Sequence, residues 1–204
     1  MKPETRRYLL EKAANVVGAL IYIMFAAAFI LDFMRTQRMS CIFSLIIVTF
    51  FVFFFLVRDI PKQVSLSPYD WFIGLCGTFI PLLLRPAPAM HDTLILHVLQ
   101  IIGMCISIAG ILSLNKSLGL VAANRGVKTF WAYEYVRHPI YVGYFINLIS
   151  FWVQNITPAN TVAILLFMTF EILRIFAEEK YLSRDPAYLA YMKKVRWRMV
   201  PGLF

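Results

Sequence analysis

Six stretches of the chain are almost free of charge and follow one another with short polar breaks. They run from Ala13 to Phe33, from just after Ser40 to Val57, from Ser67-Pro68 to near Leu84, from Asp92 to about Leu114, from Pro139 to near Gln154, and from Thr157-Pro158 to beyond Arg174. A helix needs about 20 apolar residues to cross the hydrocarbon core of a bilayer, so each stretch reads as a membrane-spanning helix. The second carries an aromatic run from Phe50 to Phe55. The third is short and holds Pro81, which makes it the weakest of the six. Ser67-Pro68 places a capping hydroxyl before a proline at the first helical position. The link Asn155 to Pro158 between the fifth and sixth stretches is so short that these two form an antiparallel hairpin.

Composition agrees with the pattern. Hydrophobic residues make up 60% of the chain, charged residues 15%, and the mean hydropathy is +0.71. A soluble domain is nearer half apolar and a quarter charged. The expected architecture is therefore an all-α integral membrane protein with about six transmembrane helices. The first apolar run is long enough to span and lacks the cleavage pattern of a signal peptide, so it reads as a retained anchor.

The net charge of +9 then takes on a topological meaning. Of the basic residues, only Arg35, Arg38 and Arg85 fall on one side of a six-span arrangement. The others gather on the side that holds both termini, which the distribution of Lys and Arg makes cytoplasmic. Flanking charge of this kind accounts for the basic balance without nucleic acid as a partner. Cys41, Cys76 and Cys105 lie in apolar stretches with no CxxC or metal-ligand spacing, and read as reduced, buried, small hydrophobes. No metal site is expected.

Two segments are too polar to span, Asn115 to His138 and Glu178 to Phe204. Both fall on the cytoplasmic side. The chain accordingly divides into an N-terminal set of helices, residues 1–114, and a C-terminal unit, residues 115–204, made of the cytoplasmic loop, the helical hairpin and the tail. The candidate chemistry lies in the second part.

The densest cluster is Tyr133-Glu134-Tyr135-Val136-Arg137-His138-Pro139-Ile140-Tyr141-Val142-Gly143. Pro139 suits the first position of a helix, which makes His138 its cap. Backbone N–H groups at a helix start attract an anion, and Arg137 adds charge, so a carboxylate or phosphate is a suitable ligand. Plain interfacial anchoring by Tyr, Arg and His explains the same residues equally well. A second cluster, Glu171, Arg174, Glu178 and Glu179, sits at the end of the sixth stretch. Positions 171, 174 and 178 share one helix face, and ionisable residues within a span are costly and usually functional. A structural Glu–Arg pair would account for Arg174 and one glutamate but would leave the other without a partner. His97, Gln100 and Asn147 read as interhelical hydrogen bonders. There is no GxGxxG, Walker loop or serine elbow.

Taken in order, Arg137-His138-Pro139-Ile140-Tyr141-Val142-Gly143, a helical hairpin, Glu178-Glu179-Lys180-Tyr181-Leu182, Tyr188-Leu189-Ala190-Tyr191 and Val200-Pro201 resemble the isoprenylcysteine carboxyl methyltransferase family. The stretch from Leu118-Gly119 through Ala123-Asn124-Arg125-Gly126-Val127-Lys128-Thr129 is similar to bacterial members, which implies a bacterial inner membrane. The likeness covers about residues 112–204. It implies a membrane-embedded methyltransferase that uses S-adenosyl-L-methionine. Its cofactor residues, carried over, are Arg125, Gly126, Val127, Lys128, Tyr133, Arg137, His138, Pro139, Ile140, Tyr141 and Glu178. Arg174 matches the arginine that faces the methyl acceptor. The chain departs from the family at Trp131-Ala132-Tyr133, where Gly-Pro-Tyr is usual.

The implied chemistry suits these residues. Methyl transfer from a sulfonium needs in-line alignment, and little acid–base help when the acceptor is a carboxylate already ionised at neutral pH. Arg174 suits such a carboxylate. Glu178 suits the amino or ribose groups of the cofactor, the His138 helix start suits its carboxylate, and tyrosine faces suit a sulfonium. An amine or thiol acceptor would require a base, for which Glu179 is the nearest residue. The expected acceptor is a lipid-like or prenylated molecule that enters from the surrounding membrane lipids. Phospholipid amines and thiols are alternatives. So are a membrane NAD(P)H-dependent reductase like the sterol reductases, whose tails end much as Val195 to Pro201 does here, and a non-catalytic membrane protein.

Overall fold

The computed structural model describes residues 3–57, 63–87, 93–114, 121, 123–124 and 126–204. Arg125, Arg58, Lys62 and the segment 115–120 lie outside the described residues. Among the described residues seven α-helices follow in order: α1 (Pro3–Thr36), α2 (Met39–Val57), α3 (Pro68–Phe79), α4 (Leu94–Leu114), α5 (Pro139–Gln154), α6 (Pro158–Leu182) and α7 (Pro186–Lys194). The all-helical reading therefore holds, and the six expected stretches correspond to α1–α6. Extended chain appears as a two-residue antiparallel ladder between β1 (Gln63–Val64) and β2 (Ala123–Asn124). It ties the α2–α3 connection to the loop that leads into the C-terminal unit.

Local chemistry accounts for the helix ends. Ser67, Thr157 and Asp185 each accept a backbone N–H from the first turn of α3, α6 and α7, and each is followed by proline. Pro81 removes a backbone donor, and the α-helix gives way to a 3-10 turn over Ile80–Leu83. Only Asn155 to Thr157 separate α5 from α6, as the hairpin reading requires.

Among the described residues, four helices are long and apolar enough to cross a bilayer: Lys12–Thr36, Met39–Val57, Leu94–Leu114 and Pro158–Leu182. The other two expected spans are shorter, with α3 at 12 residues before its 3-10 extension and α5 at 16. Apolar side chains cover the outside of the bundle as well as its inside. This corrects the expectation that all three cysteines are buried: Cys41 is buried, Cys76 half-buried and Cys105 exposed. When the solvent is lipid, an apolar residue can face outward without penalty.

The interior has two kinds of contact. Between α1 and α2 it is aromatic, with Tyr22 stacked on Phe51 at 5.3 Å and Phe51 on Tyr144 of α5 at 5.7 Å. Between α4 and α5 it is backbone on backbone. A Cβ at Gly143 would meet the Ser107 side chain and the backbone of Gly103 and Ser107. Small residues allow this approach, and van der Waals contact then holds the helices where lipid supplies no hydrophobic drive between them. The buried amides support the same seam: Asn147 donates to the Gln100 carbonyl at 3.2 Å and Gln154 to the Gln100 side chain at 3.0 Å. His97 packs edge-on to Phe43.

Gly143→Ala tests this seam. The methyl group has nowhere to go without parting α4 from α5, and we expect a loss of about 3 kcal/mol, read as a lowered melting temperature of the detergent-solubilised protein.

Candidate functional site

The polar residues of the C-terminal unit converge where α5 begins and α6 ends. The tail passes over this corner: Arg137 N–H donates to the Trp197 carbonyl at 2.9 Å, and His138 N–H to the Arg198 carbonyl at 2.8 Å.

At the centre is Glu179, buried with 4% of its surface exposed. Its Oε1 accepts from Arg137 Nε at 2.7 Å and lies 3.2 Å from His138 Nε2, and its Oε2 accepts from Arg198 Nε at 2.8 Å. Arg137 also donates to the carbonyls of Val195 at 2.9 Å and Arg196 at 2.7 Å. Both oxygens of Glu179 are thus engaged by cationic or polar donors, and the Arg137 guanidinium is turned into the protein. Sequence reading placed Arg137 and His138 toward a ligand. In the fold their side chains bind α5 to α6 and to the tail. His138 occupies the N-cap position of α5 but does not cap it with its side chain.

Beside this anchor lies a second arrangement on the same end of α6. Glu178 Oε1 accepts from the Tyr141 hydroxyl at 2.7 Å and from Arg174 Nε at 3.1 Å. Glu178 Oε2 stands 4.0 Å from His138 Nδ1. Tyr141 stacks on His138 at 5.4 Å, and the Arg174 guanidinium lies 5.5 Å from the Tyr141 ring. Arg174 also donates from Nη1 to Glu171 Oε1 and to Thr78 Oγ1, each at 3.2 Å. The expectation that one glutamate would lack a partner is therefore corrected. Spacings of three and four residues put Glu171 and Glu178 on either side of Arg174, and one guanidinium serves both.

A third wall is aromatic. Tyr133, Tyr188 and Tyr191 form a buried cluster with Val195, against which Val127 packs. The Tyr191 hydroxyl donates to the Tyr133 carbonyl at 2.8 Å, which ties α7 to the loop before α5. Burial holds the phenols of Tyr133, Tyr188 and Tyr191 well above their ordinary range, so all three stay neutral donors. Gly126 has φ +87°, and a side chain there would point into open space.

The departure at Trp131-Ala132-Tyr133 is accommodated by strain. Trp131 takes φ +57°, a left-handed conformation open to glycine at no steric cost, and its ring is 64% exposed. A 3-10 turn over Trp131–Glu134 then brings Tyr133 into the buried cluster.

The structure thus brings together Val127, Tyr133, Arg137, His138, Pro139, Ile140, Tyr141, Arg174, Glu178 and Glu179. Pro139 and Ile140 form the first turn of α5 and are buried against α4. Lys128 belongs to the segment between β2 and the 3-10 turn. Arg125 lies outside the described residues. Three participants escaped sequence reading: Thr78 and Gly77 of α3, which meet Arg174 and Glu171, and Arg198, which completes the Glu179 anchor. Thr78 and Gly77 carry no local signal, because their role comes from the packing of α3 on α6.

The donor set suits a nucleoside sulfonium with an amino acid end. Glu178 keeps its Oε2 toward the helix start, the N–H groups of Ile140 and Tyr141 in the first turn of α5 lie beyond intrahelical reach, and neutral aromatic faces stand alongside. Residues 93–184, which take in α4, α5 and α6, match the model of the Isoprenylcysteine carboxyl methyltransferase (ICMT) family. No curated protein matches the chain.

Two outcomes follow from this geometry. Glu179→Gln leaves Arg137 buried without its counter-charge, at an expected cost of about 3–5 kcal/mol, and should open residues 195–204 to limited proteolysis. Trp131→Gly should relieve backbone strain and raise stability by about 1 kcal/mol after the entropy of glycine is counted, read as a higher melting temperature.

Proposed function

We propose, from the match of residues 93–184 to the isoprenylcysteine carboxyl methyltransferase family model and from the helices long and apolar enough to span a membrane, that the chain transfers a methyl group from S-adenosyl-L-methionine to a lipid-like acceptor that reaches the site from the bilayer. The observation that carries the reading is the facing pair at the corner. The His138-Pro139 start of α5 and Glu178 of α6 approach to 4.0 Å beside the buried tyrosines.

In this reading α3 with its 3-10 extension and α5 complete six crossings, and the corner faces the cytoplasm, in keeping with the excess of Lys and Arg at that end. The inner membrane of a bacterium is the proposed setting.

The cofactor supplies, when bound, an electrophilic methyl group on a sulfonium sulfur. The protein's part is to hold and align it. Glu178 takes amino or ribose groups, and the α5 start with its positive end takes the carboxylate. Tyr133 and the segment Gly126 to Lys128 form the outer wall. Tyr141, fixed by Glu178 and flanked by Arg174, orients the inner one. Arg174 faces the acceptor, and a carboxylate acceptor needs no base there. Glu179 and Arg137 act through position, by keeping the tail closed over the corner and water out of it. An amine or thiol acceptor would require a base, and Glu179, with both oxygens engaged, would have to be released first.

The test is calorimetric titration of the detergent-purified protein with S-adenosylhomocysteine, with NADPH as the control. Saturable binding of the nucleoside, weakened about tenfold or more by Glu178→Ala through loss of a charged hydrogen bond, is the expected result. Binding of NADPH alone would favour the reductase reading, and no binding of either would remove the enzyme assignment.

A further inference from the structure

The proposed function gives Glu171 no task, yet its placement is costly. It is fully buried in α6, one turn before Arg174, within a helix apolar enough to span. A carboxylate at such depth is expensive and is kept where it serves a pathway or a site. Among the described residues its Oε2 finds no hydrogen-bond partner, and its Oε1 meets Arg174 Nη1 at 3.2 Å. Opposite stands Gly77, where a Cβ would collide with Glu171 Oε1.

Gly77 and Thr78 also line an apolar crevice between α1, α2, α3 and α5, with Tyr22, Phe51, Tyr144 and Phe151 among its other walls. The same two residues therefore touch the Glu171–Arg174 pair and border the crevice. The crevice and the Glu171–Arg174 pair thus lie on either side of Gly77 and Thr78.

Arg174 already meets two carboxylates. A third brought to the same guanidinium would crowd like charges in a medium of low dielectric. A carboxylate can dock there only in exchange for one already present. Glu178 is held by Arg174 and by the Tyr141 hydroxyl at 2.7 Å. Among the described residues Glu171 is held by Arg174 alone, at 3.2 Å, against the two donors that hold Glu178. Glu171 is the one that yields.

We infer that Glu171 is a place-holder for the acceptor: it occupies the Nη1 edge of Arg174 until an amphiphile with a carboxylate head and an apolar tail seated in the crevice displaces it, and it leaves carrying a proton. This rests on the proposed function in placing the acceptor at Arg174. Among the described residues, the ionisable groups around Glu171 are Arg174 and Glu178 on its own helix, Tyr22 on α1, and Tyr141 and Tyr144 on α5, while α3 presents Gly77 and Thr78. Arg174 is the cation among them. Once Arg174 is ceded, a proton is what keeps Glu171 from being a bare buried charge. Glu171 thereby selects for carboxylate heads able to compete for arginine, and it keeps the Arg174 side chain in position meanwhile.

The experiment measures binding of N-acetyl-S-farnesyl-L-cysteine and of its neutral carboxamide to the full chain in detergent. Wild type, Glu171→Gln and Gly77→Ala are compared, the last pushing a methyl group against the Glu171 carboxylate. Both variants should bind the carboxylate probe roughly tenfold more tightly relative to the carboxamide, by removing a competing charged hydrogen bond. Titration in buffers of different ionisation heat should show uptake of about one proton per carboxylate probe in wild type and none in Glu171→Gln. Weaker carboxylate binding in Glu171→Gln, or one unchanged affinity across all three proteins, absence of binding included, would overturn the inference. S-adenosylhomocysteine binding is measured alongside. Its retention in both variants shows that they are folded, and its failure in wild type would remove the cofactor assignment while leaving the probe comparison to decide the role of Glu171.

Discussion

The carboxylate of Glu179 holds the functional corner together. Two arginines and a histidine from two parts of the chain meet on it: Arg137 and His138 at the start of α5, and Arg198 in the tail. Arg137 extends the junction by donating to the carbonyls of Val195 and Arg196. An ion pair this buried gains little over an apolar substitute and loses much when broken. Its value here is geometric. It sets how α5 and α6 end relative to one another, and so where Glu178, Tyr141 and Arg174 stand.

The bilayer explains why such polar hubs lie at the ends of the bundle. At the opposite end Arg38 donates to the Ala87 carbonyl at 2.9 Å and the Gln154 carbonyl at 3.0 Å, and also to the Asn155 side chain. Asn160 bridges the carbonyls of Arg85 at 2.8 Å and Asn155 at 2.7 Å. Irregular backbone near a membrane is tolerated where its polar groups find partners in the protein, and these side chains supply them to the α5–α6 turn. Between the two hubs the helices meet through aromatics and small residues. Glu171 and Arg174 are the charged exception, and their depth links the corner to the apolar crevice between the first three helices and α5.

The N-terminal helices are thereby drawn into the site. Their sequence offers no motif, because apolar helices in lipid look alike whether they face a neighbour or the solvent. Gly77 and Thr78 are ordinary residues of an apolar stretch until α3 is laid against α6. The opposite holds for His138. Its motif was conspicuous, but its partner Glu179 is 41 residues away and the bond between them belongs to the fold.

Hydropathy, proline placement and capping residues determined the helices by themselves, since these depend on local chemistry and on the thickness of the membrane. That is why α5 runs from Pro139 to Gln154 and why the α5–α6 hairpin is tight. The spacing of Glu171, Arg174 and Glu178 likewise put them on one face without further information. Only the tertiary structure decided which oxygen meets which donor: that Arg174 is shared by two carboxylates and a threonine from α3, that Glu179 is closed off by the tail, and that Trp131 bears strain so that Tyr133 can turn inward. These outcomes depend on distances between segments far apart in the chain, which helix packing sets.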